Sequence, residues 1–365
     1  MSSRFAREPA YRHGQTAKVG VIWCNLGTPS APTASALRKY LGEFLSDPRV
    51  VEIPRWIWML ILHGIILRIR PAKSAAKYAS IWTEHGSPLM HGSQMQAQAL
   101  QSHFDAEQVL VRVAMRYGRP ALPQVLDELQ AQGVTRVLLL SAYPQYSATT
   151  TASVWDALGS WMTQHRNLPE IRLVRNYHDH PGYIQALAQQ VRAHWQRMGR
   201  QAHLVMSFHG VPQRTLELGD PYHCECHKTG RLLAQALNLK GDDYTVTFQS
   251  RFGKAKWLEP YTEPTVRALA KAGRASVDVV CPGFVTDCLE TLEEIAMEVR
   301  DAFLESGGQD FGYVGCLNHD SQWITALADI AHSHLQGWPI QAPDQAQLVE
   351  HQHQRDRALS MGAKS

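Results

Sequence analysis

Residues 276–300 read SVDVVCPGFVTDCLETLEEIAMEVR, and this stretch indicates the class of fold that the chain adopts. It opens with a β-branched run, 277–280, which is too short for a helix and typical of a buried parallel strand. Pro282 and Gly283 then break the strand, and a polar segment with helical spacing follows. We therefore predict a strand that leads through a turn into a helix, the repeating unit of α/β sheets.

The helix in this stretch carries a row of carboxylates. Asp287 is predicted to be its N-cap, and Glu290, three residues later, completes a capping-box pattern. At helical spacing four acidic residues share one face: Asp287, Glu290, Glu294 and Glu298. Such a row can be an ordinary solvated face. It can also hold a divalent cation or relay protons, because open α/β sheets bind ligands at the carboxyl ends of their strands.

The bulk composition is that of an ordinary globular protein. The 365 residues are 44% hydrophobic and 19% charged, with a net charge of +3, and the chain is long enough for two domains. No block of Lys and Arg resembles a nucleic-acid footprint, so nucleic acid is excluded as a partner. Six cysteines are spread thinly, and residues 1–16 lack the apolar core of a secretory signal. We therefore expect a cytoplasmic protein with reduced thiols.

Predicted strands alternate with predicted helices along the chain, which argues for one doubly wound parallel sheet or two. Residues 133–155 and 273–295 share an order of glycine, β-rich strand, proline break and polar helix start, at an offset of 140. This repeat is consistent with two similar βα halves. We expect a first half over 17–170, a second half over 171–335 and a loose polar tail over 336–365.

An apolar segment, WIWMLILHGIILRIR at residues 56–70, lies within an insertion of the first half at about 53–82. We call residues 56–70 the lip. As a helix the lip would span roughly 20 Å and fall short of the roughly 20 apolar residues that cross a bilayer. Its two tryptophans and flanking arginines suit a membrane interface. Two interpretations stay open: a buried core helix, and an exposed surface that meets lipid or an apolar ligand.

The loops that follow the strands are expected to gather at one edge of the sheet, in a cleft between the halves. They contain neither a glycine-rich nucleotide motif nor the G-x-S-x-G turn of hydrolases. His209 ends an apolar strand, LVMSFHG. Histidine exchanges protons readily near neutral pH, so His209 is a candidate proton acceptor. The alternative is a strand-end histidine that only binds a neighbouring carbonyl.

A second cluster, HCECH at residues 223–227, has some features of a metal site. It lacks the second ligand pair of structural zinc sites and the four ligands of an iron–sulfur cluster. A reactive thiol and a plain surface helix are the alternatives. Cys281 and Cys288 flank the acidic turn, and Cys281 is expected to behave as a small buried apolar group.

Five motifs in order resemble those of the ferrochelatases, which insert ferrous iron into protoporphyrin to make haem. They are NLGTP, YPQYS-x-x-T, SFHG-x-P, FQS-R-FG-x-x-x-WL-x-PYT and CPGF-x-x-DCLETLEE, and the match covers residues 18–332. The resemblance implies two similar Rossmann-like halves, each a parallel sheet flanked by helices, with the porphyrin held in the cleft between them. It further implies that Fe²⁺ and protoporphyrin IX are substrates, and that the reaction is the last step of haem biosynthesis.

The resemblance also implies roles for particular residues. His209 matches the family's histidine and Glu290 its catalytic glutamate, each as a proton acceptor or an iron ligand. Asp287 and Glu294 would continue a path for protons or for metal. Five further residues fall in stretches that bind the porphyrin, with the arginine as a partner for a propionate: Arg116, Tyr117, Tyr146, Trp257 and Phe284.

Two departures from the family pattern change what is expected. No cysteine follows Cys316, so no iron–sulfur cluster is predicted. Eukaryotic members place basic residues before the GSP turn, where residues 81–83 here read IWT, so three further cations are alternatives for the propionates: Arg70, Lys73 and Lys77. The similarity of the lip to the family's porphyrin entrance implies peripheral contact with the inner face of a membrane.

Two other functions remain as alternatives. One is a chelatase for another tetrapyrrole, such as coproporphyrin, which would keep the same fold and the same histidine. The other is a non-catalytic porphyrin carrier, which would have no use for the acidic row. Nothing in the pattern demands a dimer, so a monomer or a weak dimer is expected.

Overall fold

The computed structural model describes residues 5–6, 8–253 and 255–364. Its strands are β1 (Lys18–Gly27), β2 (Val109–Tyr117), β3 (Val134–Ser141), β4 (Glu170–Val174), β5 (His203–His209), β6 (Tyr244–Gln249), β7 (Ser276–Val280) and β8 (Asp310–Val314). They form two parallel four-stranded sheets, ordered β2-β1-β3-β4 and β6-β5-β7-β8. The second order is the first shifted by four strands. The predicted α/β class with two similar halves is therefore confirmed.

Helices connect the strands in both halves. They are α1 (Ala34–Leu45), α2 (Arg55–Ile61), α3 (Leu67–Ile81), α4 (Pro88–Gln101), α5 (Leu122–Ala131), α6 (Ser153–Met162), α7 (Pro181–Met198), α8 (Gln213–Glu217), α9 (Tyr222–Ala236), α10 (Thr262–Lys271), α11 (Arg300–Glu305), α12 (Ser321–Leu335) and α13 (Gln345–Ser360). Three π-helical segments and one 3₁₀ turn complete the described chain: Leu62–Ile66, Ala148–Ala152, Glu290–Val299 and Gly241–Asp243.

The two sheets share one hydrophobic core. Val21 and Trp23 of β1 belong to the same buried cluster as Met206 and Phe208 of β5. The rings of Trp23 and Trp323 lie 6.4 Å apart within it. Strands with apolar side chains on both faces are typical of parallel sheets that helices cover on both sides. The halves are consequently packed against each other through this common core.

The structure differs from two predictions, the end of the first half and the looseness of the tail. Strand β4 pairs with β3, so the first sheet reaches Val174 instead of ending at 170. The tail at 336–365 was predicted to be loose and polar, but it contains helix α13, which starts with a capping box between Asp344 and Gln347. Its Ala358 is buried. Capping and this contact give the helix partners that a composition rich in Gln does not reveal.

The lip contains α2 from its second residue onward, the π-helix Leu62–Ile66 and the start of α3. Trp58, Leu62 and Leu67 are buried in a cluster with α1. Four other apolar side chains of the lip are exposed: Trp56 (72%), Leu60 (71%), Ile65 (54%) and Ile69 (59%). The first set therefore fits the interpretation as a buried core helix, and the second set fits the interpretation as an exposed apolar surface. None of the described helices is long and apolar enough to cross a membrane.

A proline lies inside the helix that leaves the lip. Pro71 in α3 has no N–H, so the carbonyl of Leu67, four residues earlier, loses its helical donor. The guanidinium of Arg38 on α1 donates to that carbonyl at 2.9 Å. This bond satisfies the freed acceptor and attaches the lip to the first half.

Candidate active site

His209 is the last residue of β5, at the carboxyl edge of the second sheet. Its Nδ1 lies 2.6 Å from the carbonyl oxygen of Gly210, so Nδ1 donates its hydrogen to that oxygen, and in a neutral imidazole the lone pair is then on Nε2. A Cβ on Gly210 would lie 2.7 Å from the carbonyl oxygen of Gln249, so a side chain does not fit there. The rings of Trp257 and Phe284 each lie 6.4 Å from the imidazole.

Glu294 lies beside His209 and is held by the end of β6. The backbone N–H of Ser250 donates to its carboxylate at 2.6 Å and the Ser250 hydroxyl at 2.5 Å. The side-chain amide of Gln249 donates to it at 3.2 Å. Burial raises the pKa of Glu294, and the bonds from Ser250, the charge of His209 and the bond from Gln249 offset this only in part. Its proton equilibrium is therefore shifted toward neutral pH.

Glu290 begins the π-helix Glu290–Val299. Its backbone carbonyl accepts a 2.7 Å hydrogen bond from Gln249, which fixes this turn to β6. Burial and then the negative charge of Glu290 raise the pKa of Tyr78 on α3. The same charge acts on Tyr40 on α1. Glu290 is thus close enough to these two tyrosines of the first half for its charge to act on them.

Asp287 does not form the predicted capping box with Glu290. Its carboxylate accepts hydrogen bonds from the Tyr313 hydroxyl at 2.5 Å, the Asn318 amide at 2.8 Å and the Cys316 backbone N–H at 3.2 Å. All three donors belong to strand β8 or the loop after it. The capping prediction was wrong because these long-range donors compete for the carboxylate, and sequence spacing does not register them.

The row of acids is also divided. The ammonium of Lys77 on α3 lies 2.9 Å from Glu293 and 2.8 Å from Glu298. Glu293 and Glu298 are five residues apart and share one side of this π-helix. The sequence was read with α-helical spacing, so Glu293 was not included in the predicted row of acids. Among the described residues no three His, Cys, Asp or Glu side chains are arranged to hold a metal ion.

Two predicted porphyrin contacts lie in a buried network around Asp47. Arg116 donates to the Asp47 carboxylate at 2.5 Å and to the Ser153 hydroxyl at 2.7 Å. The Tyr117 hydroxyl donates to Asp47 at 2.8 Å, and only 2% of Tyr117 is exposed. The charge of Arg116 is therefore already balanced within the first half.

The other predicted contacts are divided between the two halves. Tyr146 follows β3, and its ring is covered by the guanidinium of Arg175 at 4.5 Å. Trp257 and Phe284 stand near His209, as described above, and the indole N–H of Trp257 is buried without a hydrogen-bond partner. Of the alternative cations, Lys73 is exposed on α3. Lys77 is engaged by the two glutamates.

Arg70 differs from these cations. It makes no ion pair with any residue in the described part of the chain, and its guanidinium lies 4.7 Å from the ring centre of Phe252. Burial lowers the pKa of Arg70. Because Phe252 follows β6 and Arg70 belongs to the lip, this contact joins the lip to the second half.

Helix α9 joins the halves through residues that the sequence analysis missed. Glu225, at the centre of the HCECH motif, accepts hydrogen bonds from the Tyr146 backbone N–H at 2.7 Å and from Asn176 at 2.8 Å. Asp220, just before α9, accepts from the Ala148 backbone N–H at 2.7 Å. Gln145 donates to Thr229 at 3.0 Å. Only the polarity of these side chains is visible in the sequence, because their partners are distant along it.

A second connection runs through α4. The buried Gln96 accepts from the indole N–H of Trp23 at 2.9 Å and donates to the carbonyls of Val285 at 2.8 Å and Asn318 at 2.7 Å. The Thr286 hydroxyl also donates to Gln96. One glutamine therefore links the first sheet to the loop that precedes Asp287.

The comparisons with known proteins agree with this geometry. The family model described as Ferrochelatase matches residues 18–335. A ferrochelatase of Polaromonas sp. (strain JS666) is 61% identical, over 98% of this chain and 99% of its own length. One of Methylibium petroleiphilum is 59% identical, over 99% and 100%. The solved structure of SirB from Bacillus subtilis with Fe³⁺ has a TM-score of 0.51 at 9% identity, over 87% of this chain and 95% of that chain, a likeness of fold alone.

Proposed function

Because this chain belongs to the ferrochelatase family, we propose that its cleft is where iron enters the porphyrin, with His209 and Glu290 as the reacting side chains. The reaction inserts ferrous iron into protoporphyrin IX and releases two protons, the last step of haem biosynthesis. The enzyme is a metal chelatase of the lyase class, and both iron and porphyrin are its substrates.

The hydrogen bond between His209 and Gly210 carries this proposal. At the end of β5 it selects, for the neutral imidazole, the tautomer with the hydrogen on Nδ1 and the lone pair on Nε2. That nitrogen can take a pyrrole proton as the metal enters, or it can bind the incoming Fe²⁺, for which imidazole is a suitable ligand. Glu290, on the π-helix that follows the neighbouring strand β7, completes the proposed pair of groups.

The remaining acids form the proposed path for protons or metal. Glu294 is near His209, and its raised pKa suits a group that gains and loses protons at working pH. Asp287 is anchored by Tyr313 and Asn318, so it is rigid and already satisfied by donors. We propose that Glu294 takes the larger part in proton transfer and that Asp287 mainly shapes the turn.

The test is an anaerobic assay with purified protein, protoporphyrin in detergent and Fe²⁺, followed by the visible spectrum. His209→Ala and Glu290→Gln should each abolish metalloporphyrin formation while porphyrin binding, measured by fluorescence quenching, survives. The matched controls are His103→Ala and Glu298→Gln, which remove an exposed imidazole and an exposed carboxylate. Turnover at the wild-type rate in His209→Ala would refute the assignment.

We further propose that Arg70 binds a porphyrin propionate. Within the described residues its guanidinium makes no ion pair and lies against Phe252 of the second half, whereas Arg116 and Lys77 are balanced by carboxylates. Arg70→Ala should raise KM for protoporphyrin with little change in kcat, and Arg70→Lys should restore part of the affinity. Arg68→Ala, an exposed neighbour in the lip, is the control. Equal KM values for the two alanine variants would count against Arg70.

The exposed side chains of the lip support a proposal of peripheral membrane contact on the cytoplasmic face. Trp56 and Leu60 present apolar surface beside arginines, a composition suited to the lipid interface. A Trp56→Ser, Leu60→Ser variant should lose sedimentation with anionic phospholipid vesicles and keep its activity in detergent. Leu304→Ser, at an exposed position on α11, should sediment like wild type. Unchanged sedimentation of the lip variant would exclude this contact.

We also propose that the enzyme has no permanent cofactor and acts as a monomer or weak dimer. The absence of cysteines after Cys316 supports the first statement, since the clusters of some relatives use such residues. Iron and acid-labile sulfide analysis of anaerobically purified protein tests it, with a stoichiometric content of both as the contrary result. Light scattering across a concentration series tests the second.

A further inference from the structure

The HCECH motif contains two imidazoles that the iron site does not use. His223 and His227 are four residues apart on α9, and their ring centres lie 4.4 Å apart. Residues at this spacing lie above one another on one face of a helix. Among the described residues neither ring has a hydrogen-bond or ion-pair partner. Four ring nitrogens are therefore free to bind something else.

The environment of this pair favours neutral imidazoles. The ring of His223 stacks on Phe248 at 5.6 Å, and the ring of His227 lies 6.0 Å from the same phenyl group. Burial lowers the pKa of both histidines, and the proximity of His223 lowers that of His227 further. Neutral imidazole is the form that binds a metal. Phe248 limits the motion of both rings, which reduces the entropy lost when they share a ligand.

We propose that His223 and His227 together bind one borderline divalent transition-metal ion, such as Zn²⁺, with water at its other positions. Metal–nitrogen distances of about 2.0–2.1 Å require the two rings only to turn their nitrogens toward a common point. The neighbouring thiols are not ligands of this site. Cys226 is fully buried, and Cys224 points to solvent from another side of the helix.

The bound ion would act on the joint between the two halves. His223 and His227 lie on the same two turns of α9 as Glu225 and Thr229, which hold Tyr146 and Gln145 of the first half. A cation that bridges two successive turns stabilises only the helical form of that segment. Metal supply would therefore strengthen the contacts that keep the halves together. This second site is separate from His209 and does not depend on its proposed role.

The experiment measures the unfolding temperature of the full chain against Zn²⁺ concentration, without porphyrin. An ion that binds only the folded state raises Tm in proportion to its affinity. His223→Ala and His227→Ala should each lose the high-affinity part of this rise, with binding weakened roughly a hundredfold because the second imidazole binds intramolecularly. The double variant should lose no more than either single variant.

Two controls separate this site from the others. His209→Ala removes an imidazole of the iron site and should keep the rise that depends on His223 and His227. Cys224→Ser should also keep it. A wild-type response in both α9 single variants would overturn the proposal. Loss of the response in Cys224→Ser would assign the metal to a thiol site and overturn the two-imidazole geometry, and loss only in His209→Ala would place all binding at the iron site.

Discussion

The backbone N–H of Ser250 and the carboxylate of Glu294 are 2.6 Å apart, and Ser250 makes this bond in a left-handed conformation with φ of 64°. Side chains other than glycine seldom adopt that conformation, and strain of this kind is found most often at functional sites. The serine also donates its hydroxyl to the same carboxylate. The strained backbone of Ser250, just after β6, is thus compensated by two hydrogen bonds to Glu294.

Removing the Ser250 hydroxyl is expected to change the pH dependence of turnover. The hydroxyl stabilises the ionised form of Glu294, so Ser250→Ala should raise the pKa of Glu294 beyond the increase that burial causes. The acid limb of the kcat profile should then move to higher pH. Ser250→Gly keeps the backbone N–H bond and relieves the strain, so the same displacement in both variants identifies the hydroxyl as its cause. A profile identical to wild type would contradict this role.

Neutralising Glu294 should stabilise the protein while it abolishes efficient turnover. Burial raises the pKa of Glu294 in the folded state, so ionisation above that pKa costs folding free energy. Glu294→Gln avoids this cost and should unfold at a higher temperature at pH 7 to 8. The difference should disappear below the ordinary pKa of a glutamate, where the carboxyl is protonated in both states. A variant less stable than wild type at neutral pH would mean that its hydrogen bonds outweigh the burial.

Gly92 on α4 lies against Thr286 of the second half, so the effect of Gly92→Ala on stability should depend on the side chain at 286. It should be destabilising beside threonine and stabilising beside serine. A Cβ at Gly92 would lie 2.4 Å from the Thr286 methyl, so overpacking should cost about 1–3 kcal/mol. Thr286→Ser removes that methyl and keeps the hydroxyl that binds Gln96. In that background Gly92→Ala should instead stabilise by up to about 1 kcal/mol through helix propensity. Urea unfolding of the four proteins measures this, and additive effects would exclude the clash.

The buried Asp278 is expected to be among the most sensitive positions for stability. It is fully buried on β7 and accepts hydrogen bonds from Arg200 at 3.1 Å and Trp195 at 2.9 Å, with His194 at 3.2 Å. Asp278→Asn leaves Arg200 without this partner and should destabilise by about 3 kcal/mol. Asp310→Asn removes the half-exposed partner of the same arginine and should cost less than about 1 kcal/mol. Similar losses in the two variants would contradict the importance of burial.

The sequence predicted the fold correctly where local signals agree with tertiary packing. The apolar strand that ends at His209 and the β-branched strand before Pro282 lie in the sheet as expected, because continuous hydrophobic runs suit a parallel sheet covered on both faces. The offset of 140 corresponds to two sheets with the same strand order. The π-helices that follow β3 and β7 were missed, since the sequence was read with α-helical spacing and π-helices are rare.

The site was less predictable because its side chains choose partners far away in the chain. Asp287 looked like a helix cap, but its donors come from residues near 313–318. Arg116, the predicted partner of a propionate, donates to Asp47, a contact that the sequence did not reveal. Glu225 lies in the HCECH motif, for which a metal site was one of three interpretations, and its carboxylate binds the backbone of the loop after β3. In each case the residue type showed that the side chain would need a polar partner. Which partner it binds was determined by the fold.

The division of the lip into two sets of side chains has a practical consequence for protein engineering. Trp58, Leu62 and Leu67 anchor the segment, while Trp56, Leu60, Ile65 and Ile69 do not contribute to the core. Replacing the exposed set with polar residues should therefore remove adhesive surface without unfolding the segment. A detergent-free form of the enzyme for crystallisation, or for display of its cleft to water-soluble porphyrin analogues, can be designed on that basis.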